Sequence, residues 1–277
     1  MGKLLYMTTF KDFDWSITNR ELVLLVPNFG RGRYIRKVID SLTATCIEKS
    51  QWIILIINDA IHEDFSDLAD KNVAYFTVDR IDKYERGDAF MRNICIKYSQ
   101  SKMIAQKDPE IFYTNDFIDG CFDNQGVLYR CGGSSYLAKE HDTNEYLSGN
   151  IDKDRLIKNA DRYPITEKFV YWHFGHCAPI ESFRNLNGYD EDFKYYGYVD
   201  TDMWDRLMKS GLKQRIDSAC SPVHLWHPKP HFKTHERDIK RYEAMGRLYN
   251  SKINGSIVAN NNTNWGEGDL DYKPEII

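Results

Sequence analysis

The chain has 277 residues, of which 42% are hydrophobic and 28% charged, and its formal net charge is −4. This composition supports a large buried core, which excludes an intrinsically disordered protein. The acidic balance and the lack of a Lys/Arg-rich run exclude an electrostatic surface for nucleic acid, so no nucleic-acid partner is expected.

The first residues, MGKLLYMTTFKDFDW, lack the long apolar core of a signal peptide, and no segment has the apolar length of a transmembrane helix. The six cysteines stand singly, without the short spacings of a zinc site or the density of a disulfide framework. We therefore expect a cytoplasmic protein with reduced, mostly buried cysteines. Peripheral association with the inner face of a membrane stays open.

Four apolar runs in the first half predict buried strands, at residues 22–26, 52–57, 73–78 and 103–105. Helices are predicted between some of them, at 34–47 and 88–98. Strands that alternate with helices indicate an α/β fold with a mostly parallel sheet, in which ligands collect at the carboxyl ends of the strands. Those ends carry Pro27 and Asn28, then Asn58 and Asp59, then the segment 108–110.

The middle of the chain, about 116–164, is less regular, and we expect part of it to be a mobile loop region around one strand at 126–129. A charged helix is predicted at about 232–249. The tail from residue 254 is polar and rich in Gly and Asn, which predicts loop.

Asp108 and Glu110 stand two residues apart around a proline, so on a continuing strand both carboxylates would face one hard cation. The alternative is a solvated turn after an edge strand. Three histidines follow later, in CSPVHLWHPKPH. Because two prolines prevent a regular helix there, we expect a loop from which one histidine, His224 before His227, reaches a metal. A structural corner with hydrogen-bonded imidazoles is the alternative.

Basic residues form a third group, with Arg31 after the first strand and Arg86, Arg92 and Asn93 in DKYERGDAFMRN. Early in a helix, a guanidinium and backbone N–H groups can share an anionic phosphate. A solvated helix face is the competing interpretation.

The segment 187–212 places five aspartates and one glutamate before and inside an amphipathic helix, in whose first turn Asp200 falls. A cluster of carboxylates is costly unless a cation or a ligand is close by, which indicates a functional site. The alternative is that Asp200 and Asp202 only complement the helix dipole.

In order, these motifs resemble GT-A fold glycosyltransferases, with a pattern similar to family 2 enzymes and to the C-terminal half of the β-1,4-galactosyltransferase and polypeptide N-acetylgalactosaminyltransferase families. The resemblance spans about 22–226 and rests on VPNFGRGRY, LIINDA, MRN, DPE, GYDEDFKYYGYVDTDMWDRL and CSPVHLWH. Glu110 replaces the second aspartate of the family's DxD motif, and Val199 lies where several members carry a glutamate.

The resemblance implies a single domain over 1–253, with a nucleotide-binding half at about 20–115, an acceptor-binding half at about 116–253 and a polar tail at 254–277. It also implies a role for each motif. The nucleotide sugar would be contacted by Pro27, Asn28, Arg31, Asp59, Arg86, Arg92, Asn93 and Asp108. Mn²⁺ or Mg²⁺ would be held by Asp108, Glu110 and His224, and the acceptor by Trp172, Tyr198, Asp190 and Glu191. Asp200 would be the general base.

We therefore expect a metal-dependent inverting glycosyltransferase that moves a sugar from a UDP-sugar to a carbohydrate or lipid-linked glycan acceptor, in surface polysaccharide biosynthesis. Three alternatives stay open at this point: a retaining enzyme of the same fold, a nucleotidyltransferase that makes a sugar nucleotide, and a non-catalytic carbohydrate-binding protein.

Overall fold

The computed structural model describes residues 10, 12–43, 45–78, 88–164, 175–195, 197–228, 236–260 and 265–266. Two of the predicted site residues, Arg86 and Trp172, lie outside the described residues, as does His231.

In chain order the strands are β1 (Leu22–Asn28), β2 (Trp52–Asp59), β3 (Val73–Val78), β4 (Met103–Gln106), β5 (Ile111–Tyr113), β6 (Leu128–Cys131), β7 (Ser134–Leu137), β8 (Asp161–Pro164), β9 (His176–Pro179), β10 (Gln214–Asp217) and β11 (Pro222–His224). The α-helices are α1 (Gly32–Leu42), α2 (Asp88–Tyr98), α3 (Phe117–Asp123), α4 (Glu140–Leu147), α5 (Lys153–Asn159), α6 (Ile180–Arg184), α7 (Val199–Lys209) and α8 (Glu236–Lys252).

Within the described residues, the central sheet has seven strands in the order β10, β6, β9, β4, β1, β2, β3. β1 is parallel to β2 and β4, β2 is parallel to β3, and β10 is parallel to β6. β9 is antiparallel to both of its neighbours. The prediction of an α/β fold with a mostly parallel central sheet is confirmed.

A smaller sheet of β5, β11, β7 and β8 stands beside the central one. β5 follows the segment 108–110 directly and pairs antiparallel with β11, so that Ile111 lies opposite His224. This pairing brings the acidic and the histidine motifs together, although more than 100 residues separate them in the chain.

Both faces of the central sheet are buried at β1, β2 and β4, which explains why these strands are mostly apolar runs rather than alternating ones. Leu24 of β1 belongs to the hydrophobic cluster that α1 covers, whereas Leu25 belongs to the cluster that α2 and α7 cover. Strands β1, β2 and β4 are therefore held rigidly from both sides, and so are the residues at their carboxyl ends.

The segment 116–164, of which the sequence predicted part to be loop, is more regular than expected, because it contains α3, β6, β7, α4, α5 and β8. Only two residues of α4, Thr143 and Tyr146, are buried, so the helix has too narrow an apolar stripe to show in the sequence. The strand predicted at 126–129 is β6, two residues later, and the helix predicted at 34–47 ends at Leu42. β-Branched Thr43 and Thr45 follow that end.

Five of the six cysteines are buried and all six are free thiols, as the sequence predicts. Among the described helices, none combines the length and the apolar character needed to cross a lipid bilayer.

Candidate active site

The site lies where the carboxyl ends of β1, β2 and β4 meet, as expected for a parallel sheet. The register pairs Asn28 with Asn58 at the edge of the sheet. The Asn28 carboxamide donates to Asn58 Oδ1 at 2.8 Å and accepts from the backbone N–H of Arg31 at 2.8 Å. Asn28 is fully buried and its hydrogen bonds fix the loop after β1, while its contact with the nucleotide stays a prediction.

One side of the site is a cluster of Glu110, His224 and His227. Glu110 Oε1 lies 2.9 Å from His227 Nε2 and 3.7 Å from His224 Nε2. One ligand atom from each residue lies within 4.8 Å of the others, and within the described part of the chain no further group of this kind occurs. Mixed carboxylate and imidazole ligands suit manganese and similar divalent ions.

The protonation states in this cluster fit a cation. Burial raises the pKa of Glu110, but the His227 hydrogen bond and the nearby His224 and Arg31 outweigh it and bring that pKa to about 2. Burial also lowers the pKa of His224. Carboxylates bind a metal in the ionised form and imidazoles in the neutral form, and the pKa shifts of Glu110 and His224 run in those directions.

Asp108, which was predicted as a metal ligand with Glu110 and His224, lies beside Arg92 and outside that three-residue cluster. Its Oδ1 is 3.3 Å from Arg92 Nη2. Burial raises the pKa of Asp108 to about 7, which the charge of Arg92 opposes and the charges of Glu110 and Asp200 reinforce. The prolyl turn thus places Asp108 beside Arg92 and Glu110 beside the histidines.

Arg92 stands between Asp108 and Asp200, with its Nη2 3.6 Å from Asp200 Oδ1. The guanidinium is almost completely buried, and Asp200 and Asp108 are among the charges that raise its pKa against the lowering effect of burial. Nη1 donates to Gln106 Oε1 at 2.8 Å. Arg92 therefore binds protein carboxylates, where the sequence predicted a contact with the nucleotide.

Asn93, for which the sequence predicted a contact with the nucleotide, makes hydrogen bonds within the protein. Its side chain is fully buried, donates to Tyr189 O and Glu191 Oε1 at 2.8 Å each, and accepts from Tyr189 N at 2.7 Å. Its carboxamide fixes the turn that precedes α7.

In the acidic segment, Asp200 lies at the site, whereas several other carboxylates contact groups of the protein. Asp190 Oδ2 pairs with Lys252 of α8 at 2.5 Å, and Glu191 accepts the hydrogen bonds from Asn93 and Gly266. Asp202 is buried against Arg206 at 2.7 Å. These oxygens are used within the protein, and the acceptor contacts of Asp190 and Glu191 stay predictions.

Tyr198, also predicted to contact the acceptor, precedes α7 in a left-handed backbone conformation with φ 66°. Its ring stacks on Tyr249 at 5.4 Å and tilts against Tyr242 at 5.5 Å. The ring thus packs against α8, and its stacking on a sugar stays a prediction.

The remaining predicted residues lie at the strand ends. Pro27 is buried within β1, and Asp59 is buried at the last position of β2. Arg31 is partly exposed, and its charge lowers the pKa of Glu110 in the cluster of Glu110, His224 and His227.

The sequence favoured His224 over His227 as the one histidine near a metal, and the structure places both beside Glu110, with His227 closer. One residue of the site was not among the sequence-predicted ones. Lys107 is buried, donates from Nζ to Asp108 O at 3.0 Å, and has a pKa that burial lowers to about 7. Its position in the sequence could have predicted a role for Lys107 in the site, because it follows an apolar strand and precedes two acidic residues.

A family model described as the N-terminal domain of galactosyltransferase matches residues 177–252, from β9 to the end of α8. Chondroitin sulfate synthase 3 of Mus musculus is 22% identical over 228 residues, which are 76% of this chain and 24% of that protein. The Homo sapiens protein of the same name is 23% identical over 129 residues, 44% of this chain and 13% of the relative. The chain spans about a quarter or less of the length of these relatives.

Two solved structures are similar in fold. S. aureus TarS 1-349 in complex with UDP-GlcNAc has a TM-score of 0.55 at 9% identity, covering 85% of this chain and 67% of that one. GalNAc-T7 with UDP, GalNAc and Mn²⁺ has a TM-score of 0.54 at 11% identity, covering 84% and 49%. At such identities the likeness shows the fold. The chain thus has the fold of GT-A glycosyltransferases, and its residues 177–252 are similar to a galactosyltransferase domain.

Proposed function

We propose that the chain transfers a sugar from a UDP-sugar to a hydroxyl group of a carbohydrate or lipid-linked glycan, with Mn²⁺ or Mg²⁺ as cofactor. The observation that carries this proposal is the cluster of Glu110, His224 and His227 beside the ion-paired Asp108, Arg92 and Asp200. TarS and GalNAc-T7, whose structures hold UDP-GlcNAc and UDP with Mn²⁺ respectively, support the choice of donor and metal.

Glu110, His224 and His227 would hold the cation, with Asp108 next to them. When bound, the cation supplies positive charge that stabilises the diphosphate as it leaves. Arg31 carries a partly exposed guanidinium on the same side of the site and would add to that charge.

Asp200 is the proposed general base. Its side chain is about a third exposed, at 34%, and its Oδ1 lies 3.6 Å from Arg92 Nη2. An ionised carboxylate that solvent reaches can accept the proton of an acceptor hydroxyl as that hydroxyl attacks the anomeric carbon. Attack from the face opposite the diphosphate inverts the configuration, so we propose an inverting reaction.

The acceptor side of the proposal rests on relatives rather than on a site residue. Chondroitin sulfate synthase 3 is by its name an enzyme that builds a glycan chain, and the chain matches part of it. We therefore propose a role in assembling a surface polysaccharide or glycoconjugate.

Release of UDP from a panel of UDP-sugars tests the function, in Mn²⁺ and in EDTA, with acceptor sugars added. Asp200→Asn should reduce transfer by about 100-fold or more, as expected for loss of a general base, while Mn²⁺-dependent UDP binding stays. Asp154→Asn, an exposed aspartate in the first turn of α5, is the matched control and should behave as the wild type. Full transfer by Asp200→Asn would refute the assignment of the base.

A further inference from the structure

The segment after α8 is packed onto the turn that precedes the acidic helix. Asn260 Nδ2 donates to Asn187 O at 2.7 Å and to Tyr189 O at 2.6 Å. Asn260 Oδ1 accepts from Glu191 N at 3.0 Å. One carboxamide thus satisfies three backbone groups of the turn 187–191, and its own backbone has φ 48°, which asparagine tolerates better than most residues.

Other contacts hold the same two segments together. Ala259 N donates to Leu186 O at 3.0 Å, and Gly266 N donates to Glu191 Oε1 at 2.7 Å. Lys97 of α2 donates from Nζ to Trp265 O at 2.9 Å. We call Ala259, Asn260, Trp265 and Gly266 the C-terminal clasp.

The turn is enclosed between α2 and the clasp. A Cβ atom on Gly188 would lie 2.3 Å from Asn93 Oδ1 and 2.9 Å from Trp265 Cζ3, so only glycine fits there. Its φ of +69° imposes the same restriction. Tyr189, the next residue, is therefore fixed from both sides.

Tyr189 connects this turn to the active site. It is fully buried, and its hydroxyl donates to Gln106 Oε1 at 2.6 Å. The same oxygen accepts from Arg92 Nη1, and the Arg92 guanidinium lies 5.4 Å from the Tyr189 ring centre. The other end of that guanidinium faces Asp108 and Asp200. A continuous set of contacts thus runs from Asn260 to the proposed base.

We propose that the C-terminal clasp is a positioning element of the catalytic site, which sets Tyr189 and, through Gln106, the guanidinium that orients Asp200. This inference rests on the proposed transfer function and adds residues beyond 253 to the catalytic unit. Asn260 is a positioning residue, because it acts through Tyr189 and is remote from the reacting atoms. Displacement of a catalytic group by about 1 Å costs on the order of 100-fold in rate, so a buried hydrogen-bond set of this kind affects turnover.

Asn260→Gly tests the inference, because glycine adopts the same positive φ without the carboxamide. We expect kcat to fall by about 10-fold or more, while KM for the UDP-sugar and the Kd for Mn²⁺ stay within about 2-fold of the wild type. Asn254→Gly, an exposed position in the same segment, is the matched control and should leave kcat unchanged.

Tyr189→Phe supplies a second variant, because it removes only the hydroxyl that reaches Gln106. If both variants act on one pathway, the double variant should lose less than the product of the two single losses in kcat. Hydrogen exchange should report faster amide exchange at 187–191 in Asn260→Gly.

Wild-type kcat in Asn260→Gly, with faster exchange in the turn, would overturn the positioning role and leave the proposed function intact. A loss of Mn²⁺ affinity equal to the loss of kcat would also overturn it, since that indicates general disruption of the site. A wild-type protein that transfers sugar from no UDP-sugar would overturn the proposed function itself.

Discussion

Arg92 Nη2 lies 3.6 Å from Asp200 Oδ1, so α2 supplies the positive charge that faces the first turn of α7. The same nitrogen lies 3.3 Å from Asp108, and one buried cation therefore joins two carboxylates that would otherwise repel each other.

Arg92→Met should remove this charge and leave two carboxylates facing each other. We expect a loss of about 1–3 kcal/mol in the free energy of unfolding, because two partly exposed carboxylates lose the buried guanidinium that they share. Urea unfolding measures this loss. Arg247→Met, which breaks an exposed pair with Glu243 on α8, is the control and should lose less. Equal losses in the two variants would contradict the burial argument.

Both His224→Ala and His227→Ala should weaken Mn²⁺ binding, by about 10-fold or more each, because each variant removes one proposed ligand. The electron paramagnetic resonance signal of free Mn²⁺ gives the affinity directly. His141→Ala, an exposed histidine at the start of α4, should not change it. If only His224→Ala lowers the affinity, His227 is a partner of Glu110 and not a metal ligand.

Asp202→Ala should destabilise the fold without changing Mn²⁺ affinity, although Asp202 is only two residues from Asp200. Its carboxylate pairs with Arg206, whose guanidinium also donates to Gly188 O at 2.8 Å. Removal of one partner of this buried pair should cost about 3 kcal/mol in unfolding free energy. A loss of Mn²⁺ affinity with unchanged stability would place Asp202 in the site.

Glu191→Gln should remove the charge of this side chain and keep an oxygen that can accept the same hydrogen bonds. Burial raises the pKa of Glu191 above its usual 4.5, against the lowering effect of Asn93 and Gly266. A raised pKa in the folded state means that stability is highest when the group is protonated and falls as pH rises from 4.5 through the raised value. Because glutamine stays neutral, the variant should gain stability relative to the wild type between pH 4.5 and pH 7.

Urea unfolding of both proteins at the two pH values checks this expectation. A relative stability of the two proteins that does not change with pH would show that the Glu191 charge costs nothing in the fold.

The first four strands could be predicted from the sequence, because strands that are buried on both faces are continuous apolar runs. The edge at which the site lies could also be predicted, because ligands of parallel sheets bind at the carboxyl ends of the strands. α4 could not be predicted, since its contact with the core rests on Thr143 and Tyr146.

The roles of individual polar residues depended on contacts between distant segments. Asn93, Asp190 and Glu191 looked equivalent to ligand-binding residues in the sequence, yet their hydrogen bonds go to the turn before α7, to Lys252 and to Gly266. His227 lies in the cluster because β11 pairs with β5. The sequence of either strand alone does not predict this pairing.

Calorimetric titration of the wild-type protein with UDP, in Mn²⁺ and then in EDTA, tests the central claim most directly. The account predicts that UDP binds in Mn²⁺, that EDTA abolishes the binding, and that Glu110→Gln lacks it while the exposed-site control Glu140→Gln retains it. UDP binding of equal affinity in EDTA, or in Glu110→Gln, would contradict a metal site built on Glu110, His224 and His227.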